Sequence, residues 1–324
     1  MTQKALRLGT RRSMLAMAQS GQVADAVRQL TGRPVELVEI TTYGDTSREH
    51  LAQIGGTGVF VTALRDALLR GDVDFAVHSL KDLPTAQPDD LVLAAVPVRE
   101  DPRDVLVARD GLTLTELAAA AEGRPVRIGT GSPRRMSQLN AYARSHGLAV
   151  ETVPIRGNID TRIGFAHSGE LDAVVLAAAG LNRIGRIGEV TDFLPVDTML
   201  PAPGQGALAI ECTAADADLA AALAELDDPY TRVAVTAERS LLAALEAGCS
   251  APVGAYADLL ADGQVVHEMR LRGVVGTTDG STLVQLSITG PVPASHDEAV
   301  ALGRELAVEM LAKGAAGLMG ERAL

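Results

Sequence analysis

The sequence predicts an α/β protein built from two α/β lobes that flank a cleft, with a smaller α+β domain at the C-terminus. Three observations carry that expectation. Apolar, strand-like runs alternate with helix-period stretches from Leu6 to Glu211, which is the βαβ pattern of a mainly parallel sheet. The run Leu200-Pro-Ala-Pro-Gly-Gln-Gly206 interrupts this pattern and leads into a strand, Ala207–Glu211, able to return the chain to its first lobe. Beyond residue 219 the order changes to helices, then three strands and a closing helix. The expected division is 1–99 with 201–218, then 100–200, then 219–324.

Leu6–Gly9 reads as a short buried strand and Thr10-Arg-Arg-Ser13 as the loop after it. The helix from about Met14 to Leu30 places Val23, Val27 and Leu30 on one face, and Gly32 and Pro34 close it. Val35–Thr41 is the second strand. Residues 42–58, ending in Gly55-Gly-Thr-Gly58, form a long glycine-rich loop that is expected to be mobile. In helix Phe60–Arg70, Phe60, Leu64 and Leu68 recur every four residues before Gly71 ends it, and strands follow at Val73–His78 and Leu91–Val96. The second lobe opens near Asp104 with strand Val105–Ala108, helix Leu114–Ala121 and strand Val126–Gly129. Helix Ser132–His146, strand Val150–Pro154, helix Ile159–His167 and strand Ala173–Leu176 complete it. The last domain reads as helices Leu219–Leu226 and Arg232–Ala247 and strands Val253–Leu260, Glu268–Val275 and Thr282–Thr289, then the amphipathic helix Glu298–Lys313. The two lobes look alike in architecture, without self-similarity in sequence.

Composition narrows the function classes. The chain has 324 residues, 47% of them hydrophobic, so each of two or three domains can bury a core. Trp is absent and aromatic residues are 2% of the chain, which leaves no base-stacking platform for single-stranded nucleic acid. A net charge of −12 would repel nucleic-acid phosphates. The two cysteines, Cys212 and Cys249, make neither a disulfide framework nor a zinc spacing, and the six histidines are scattered, so no metal site is indicated. The N-terminus lacks an apolar leader, and no run approaches the ~20 apolar residues that cross a bilayer. These features predict a soluble cytoplasmic protein, and the acidic surface a monomer.

The stretch Ala76-Val-His-Ser-Leu-Lys-Asp-Leu-Pro84 begins as a buried strand and stops in the charged pair Lys81-Asp82 before Pro84. Ligands of open α/β sheets sit at the carboxyl ends of strands, so these two residues are candidates for chemistry. As an isolated feature the pair is also an ordinary solvated turn.

Arginines gather where they do not help the fold. Ser132-Pro133 reads as an N-cap and first-turn proline, which puts Arg134 and Arg135 against the positive end of a helix dipole. Arg11 and Arg12 stand beside Ser13 at the start of the first helix, Arg156-Gly157-Asn158 follows a strand, Arg162 lies in the next first turn, and Arg183 again follows a strand. Any one of these can pair with a surface carboxylate or lay its stem along the surface. Taken together they suggest a shared polyanion, and with no Walker loop or strand-linked GxGxxG, carboxylates fit better than phosphates. Cys212 reads as inert packing in an apolar strand, whereas Cys249, in a glycine-flanked loop, is a candidate attachment point or nucleophile.

The series Arg11-x-Ser13, His78-Ser-Leu-Lys-Asp-Leu-Pro84, Arg134-Arg135, Arg156-Gly-Asn158 with Arg162, and Gly248-Cys249 resembles the hydroxymethylbilane synthase (porphobilinogen deaminase) family. The resemblance covers the whole chain in order, including Pro201-Ala-Pro-Gly-Gln-Gly206 and Thr236-Ala-Glu-Arg239. It implies lobes like those of periplasmic binding proteins. It also implies a transferase that condenses four porphobilinogens into the linear tetrapyrrole hydroxymethylbilane, releasing ammonia, on a covalent dipyrromethane cofactor made from two substrate molecules. By that resemblance Asp82 is the catalytic aspartate and Cys249 the thioether anchor. Lys81, Asp82, Thr130, Ser132, Arg134, Arg135, Arg156 and Gly157 contact the cofactor. Arg11, Ser13, Gln19, Phe60, Arg156, Arg162 and Arg183 contact the substrate. The product would pass to a downstream tetrapyrrole enzyme. The sequence departs from the family's common Gly-Thr-Ser-Ser-Leu-Arg-Arg at Gly131 and Pro133, which predicts one polar contact fewer to the cofactor. Two other readings compete. One is a non-enzymatic polycarboxylate carrier on the same two-lobed scaffold. The other is an anion-sensing regulator, for which no basic DNA-reading helix-turn-helix is evident.

Overall fold

The apolar runs fold as strands and the helix-period stretches between them as helices, in a computed structural model that describes residues 4–41, 58–247, 251–263 and 265–319. In chain order they are β1 (Leu6–Thr10), α1 (Met14–Thr31), β2 (Val35–Glu39), α2 (Gly58–Leu69), β3 (Phe75–Ser79) and β4 (Leu91–Ala95). Next come β5 (Asp104–Ala108), α3 (Leu114–Ala120), β6 (Val126–Gly129), α4 (Pro133–Ser145), β7 (Val150–Val153), α5 (Ile159–His167), β8 (Ala173–Ala177), α6 (Ala178–Arg183) and β9 (Asp192–Phe193). The chain ends with β10 (Leu208–Thr213), α7 (Ala217–Ala224), α8 (Pro229–Ala244), β11 (Val253–Asp262), β12 (Val265–Gly276), β13 (Leu283–Pro291) and α9 (His296–Ala312).

These elements form two compact units, Met1–Glu100 with Ala207–Arg232, and Asp101–Gly206 with Val233–Leu324. The sheet of the first has the order β2-β1-β3-β10-β4. β1 is parallel to β2 and β3, whereas β10 is antiparallel to both its neighbours. The expected return of the chain at residue 207 therefore occurs, and it adds one antiparallel strand to a sheet whose other four strands share a direction. Leu6, Leu8, Val27, Phe75 and Ile210 are buried in its core together with Leu219 and Leu223 of α7. Helix α7, expected to open the third domain, belongs to this core, because its two leucines one turn apart cover β4 and β10. Burying both is worth about 3–6 kcal/mol, which fixes α7 to this sheet.

The second unit repeats the plan with the order β7-β6-β8-β5-β9. β6 is parallel to β7 and β8, and β5 runs antiparallel to β8 and β9. All five residues of β5 are buried, as a strand covered on both faces requires. The same unit contains the three-stranded antiparallel sheet β11-β12-β13. Helices α8 and α9 pack on its apolar face around Leu241, Met269, Leu271, Leu306 and Met310.

The two helices meet at Gly303, where a Cβ would lie 2.4 Å from the Ala237 carbonyl oxygen and 2.7 Å from the Leu241 nitrogen. Both obstacles are backbone, so no rotamer change relieves them. Gly303→Ala should destabilise the second unit by about 1–3 kcal/mol through overpacking. A lowered Tm with unchanged turnover per folded molecule is the expected result; an unchanged Tm would show that the helices separate freely.

Candidate active site

At the end of β3 the chain enters a 3₁₀ turn, Leu80–Asp82. Leu80 is fully buried, and its N–H donates to the Ala207 carbonyl at 3.0 Å, while the Leu83 N–H donates back to the Leu80 carbonyl at 3.1 Å. Leu80 and Leu83 thus plug the turn into the core and leave Lys81 and Asp82 half-buried at the carboxyl end of the strand. Ser13 caps α1 by accepting from the Ala16 N–H. One turn on, buried Gln19 donates from Nε2 to the Ser79 Oγ at 2.9 Å, and Ser20 donates to the Thr10 Oγ1 at 2.7 Å. These bonds fasten α1 to the ends of β1 and β3. Arg11, Ser13, Gln19, Lys81 and Asp82 are thereby gathered at one sheet edge.

Beneath that edge lies a residue the sequence reading passed over. Glu211 on β10 is wholly buried and accepts from Arg65 Nε (3.0 Å), Arg65 Nη2 (2.7 Å) and Gln87 Nε2 (3.1 Å), with His78 Nε2 at 3.3 Å. Burial opposes its charge, but His78 and Arg65 outweigh burial and hold the carboxyl at about 2. The signal was a glutamate inside the apolar run Ala209-Ile-Glu-Cys212. Its neighbour Cys212 is buried packing, its thiol pushed up to about 11 by burial.

In the second unit, β6 delivers Thr130, buried, whose N–H donates to the Val153 carbonyl at 2.9 Å and whose Oγ1 accepts from the Ser132 N–H at 3.2 Å. A Cβ on Gly131 would stand 2.7 Å from the Ile155 carbonyl oxygen, so a side chain here would require this loop and the segment after β7 to move apart. Ser132 caps α4 and Pro133 occupies its first turn, as the sequence indicated. Arg134 and Arg135 are buried and share one carboxylate, Asp104, itself wholly buried. Arg134 Nη1 donates to Asp104 Oδ2 at 2.7 Å and to the Leu200 carbonyl at 2.6 Å. Arg135 donates to Asp104 Oδ1 from Nε (3.1 Å) and Nη2 (2.7 Å), and from Nη1 to the Val175 carbonyl at 2.9 Å. Gln205 Nε2 donates to Oδ1 at 2.9 Å, the third donor to that oxygen and the fourth to the carboxylate.

The arginines were expected to share a polyanion or, singly, to pair with surface carboxylates; these two share a buried carboxylate of the fold itself. No local pattern marks Asp104: β5 runs antiparallel to β8, which brings its first residue to the edge where β6 and β8 end. Burial opposes the Asp104 charge, yet Arg134 and Arg135 hold its carboxyl well below the usual range.

Farther along the edge, Arg156 is exposed after β7, and Gly157 adopts φ 108°, where a Cβ would meet Thr161 at 2.7 Å. Asn158 caps α5 through the Thr161 N–H at 2.9 Å. Arg162 donates from Nε to the Gly157 carbonyl at 2.9 Å, and Arg183 from Nη2 to the Gly206 carbonyl at 2.6 Å. Arg162 holds its proton less tightly than usual because of burial and the positive charges of Arg135 and Arg156. Three guanidiniums therefore share one positive field. Arg134 Nε is buried with no hydrogen-bond partner among the described residues. A cationic cluster beside two helix N-termini, buried at Arg134 and Arg135 and open to solvent at Arg156, suits an anionic ligand. Gly248 and Cys249, the glycine-rich loop through residue 57 and the Phe60 side chain lie outside the described residues.

The family model for the dipyrromethane cofactor binding domain of porphobilinogen deaminase matches residues 6–221, and that for its C-terminal domain matches 232–312. The chain belongs to the porphobilinogen deaminase family. It is 86% identical to porphobilinogen deaminase 1 of Streptomyces avermitilis, over 99% of both chains, and 81% identical to that of Streptomyces coelicolor, over 100% of both. The porphobilinogen deaminase of Thermobifida fusca is 54% identical, over 98% of this chain and 96% of its own. Among solved structures, the ligand-binding component of an ABC-type import system from Staphylococcus aureus is 13% identical, with a TM-score of 0.40 over 74% of this chain and 73% of its own. As a porphobilinogen deaminase the chain is a tetrapyrrole-assembling transferase with a dipyrromethane cofactor, and the carrier reading is not favoured. The donor set fits that cofactor: each of its two rings carries carboxylates, and the Arg135, Arg156 and Arg162 field with the spare Arg134 Nε offers the matching donors.

Asp104 and Glu211 ionise more readily folded than unfolded, so each stabilises the fold fully above the ordinary carboxylate range and loses that contribution as pH falls. Unfolding followed by circular dichroism should begin below roughly pH 4. Asp104→Asn, which leaves two buried guanidiniums facing a neutral amide, should cost about 3–5 kcal/mol at neutral pH and flatten the acid limb. An unchanged acid transition in that variant would show that the ion triad contributes nothing to the balance.

Proposed function

We propose that this chain joins four porphobilinogens head to tail into hydroxymethylbilane, with Asp82 as the catalytic carboxylate and Cys249 as the thioether anchor of the cofactor. When bound, the dipyrromethane supplies the free pyrrole carbon to which the first substrate is joined. The observation that carries the reading is the place of Asp82, half-buried on a plugged turn at the carboxyl end of β3, with Lys81 beside it and Arg11 at the neighbouring strand end. From there its carboxylate can accept a pyrrole N–H. It can balance the positive charge that grows on the substrate as the aminomethyl nitrogen leaves as ammonia. It can then take the proton expelled when the new carbon–carbon bond restores the aromatic ring. Ring acetates and propionates would be held by Arg11 and Lys81 in the first unit and by Arg134, Arg135, Arg156, Arg162 and Arg183 in the second. Thr130, Ser132 and Gly157 would line the cofactor, and Ser13, Gln19 and Phe60 the substrate. The same reading takes the enzyme as a cytoplasmic monomer whose product goes to a downstream tetrapyrrole enzyme. Among the described residues no helix is long and apolar enough to cross a membrane.

Asp82→Asn should keep the fold and the attached cofactor while turnover falls by at least ~100-fold, the range of a lost general acid–base group. Wild-type turnover in that variant would remove Asp82 from the mechanism. Intact mass is the sharper test of the anchor. The purified protein should exceed its polypeptide mass by one two-pyrrole unit, and Cys249→Ser should not; an equal excess in the variant would place the attachment elsewhere.

A further inference from the structure

Helix α4 is held along its length: Gln138 donates to the Leu200 carbonyl at 3.0 Å and accepts from the Leu200 N–H at 2.8 Å, Leu139 is buried in the core, and two further holds bear on the ligand cluster. Its opening turn is held by Asp104. Its middle is held by the tight turn between β12 and β13, residues Thr277 to Thr282. Gly280 in that turn has φ 68°, and a Cβ on it would lie 2.2 Å from the Ala141 nitrogen, so the turn rests directly on the helix backbone. Asn140 donates from Nδ2 to the Thr278 carbonyl at 2.8 Å and to the Thr152 Oγ1 on β7 at 3.1 Å. Arg144 donates from Nε to the Asp279 carbonyl at 3.0 Å. Asp279 keeps the turn in shape by accepting from Thr277 Oγ1 at 2.6 Å and from the Ser281 N–H at 3.0 Å.

Asn140 is therefore common to three parts: the turn, the helix that begins with Arg134 and Arg135, and the strand that leads to Arg156. We infer that the β12–β13 turn is a positioning element for the anion-binding cluster, with Asn140 as its positioning residue. A helix of 13 residues is marginal by itself, and α4 opens with two cations and no acidic residue in its first turn, so its dipole does not help place it. Asp104 grips only the tips of two long side chains, which can follow the helix if it slides. The turn rests against the helix backbone at Gly280 and takes hydrogen bonds from the shorter Asn140 side chain and from Arg144. Without the Asn140 bonds, α4 can shift against β7 and change the spacing between Arg135 and Arg156. Binding of carboxylates suffers, whereas the chemistry at Asp82, carried on the other unit, does not.

This inference rests on the proposed role of the arginines, and steady-state kinetics of four holoenzyme variants separates the two. Asn140→Ala should raise KM for porphobilinogen about tenfold, less than the ~100-fold that a full 1 Å misplacement can cost, with kcat within about twofold. Asn140→Asp, similar in shape but with no N–H to donate, should match it. Thr278→Ala keeps the accepting carbonyl and should behave as wild type. Arg156→Leu should raise KM at least as much as Asn140→Ala. A wild-type KM in Asn140→Ala, whatever its Tm, alongside an impaired Arg156→Leu, overturns the positioning role alone. A wild-type KM in Arg156→Leu overturns the arginine reading and the inference with it.

Discussion

Three charges are buried together where β5 begins, one carboxylate and two guanidiniums, and the packing of α4 against the sheet of the second unit depends on that triad. Removing such groups from water costs several kcal/mol per ion, so the arrangement persists only because donors and acceptors match closely. Asp104 receives four hydrogen bonds, and the Leu200 and Val175 carbonyls take further guanidinium N–H groups. One negative charge against two positive leaves the triad cationic. Arg156 and Arg162 extend the field, and burial together with the charges of Arg135 and Arg156 makes Arg162 hold its proton less tightly than usual. The triad thus keeps a net positive charge at the start of α4, and the two arginines are structural while remaining cationic.

The first unit solves a related problem in the same position of its sheet. β10 and β5 are each the antiparallel fourth strand, and each buries an acid paired with arginine from a flanking helix. The difference lies in where along the strand the acid falls. Asp104 is the first residue of β5 and lies at the functional edge. Glu211 is opposite Ala76, inside the sheet, where Arg65 of α2, His78 of β3 and Gln87 converge on it. It therefore steadies the strand that carries Lys81 and Asp82 rather than meeting a ligand.

Features written in a few adjacent residues were legible in the sequence. The Ser132-Pro133 helix start, the stop at Lys81-Asp82-Leu-Pro84, the inert packing of Cys212 and the return of the chain at residue 207 all have local causes: a cap, a missing N–H, an apolar run, a proline-rich crossing. What was not legible depends on strand direction and long-range return. Alternating apolar residues look the same in parallel and antiparallel strands, so Asp104 and Glu211 could not be matched to Arg134, Arg135 and Arg65 from spacing. Helix α7 was assigned by sequence order to the last domain, whereas Leu219 and Leu223 find their apolar partners on β4 and β10. The arginine cluster was found, but its internal counter-charge was not.

The departure at Gly131 and Pro133 takes on a different meaning in the folded chain. Read as sequence, Gly131 removes a hydroxyl that the family's common pattern offers. In the fold a side chain there would press on the Ile155 carbonyl, at the point where β7 gives way to Arg156. Losing the side chain lets the loop before α4 close on the loop that carries Arg156, and the missing Pro133 N–H falls where no helical partner existed for it. The expected loss of one polar contact therefore comes with a loop that needs no room for a side chain beside the Ile155 carbonyl. The two cations that follow this loop on α4 are held from within the fold, by the buried carboxylate of Asp104 that they share.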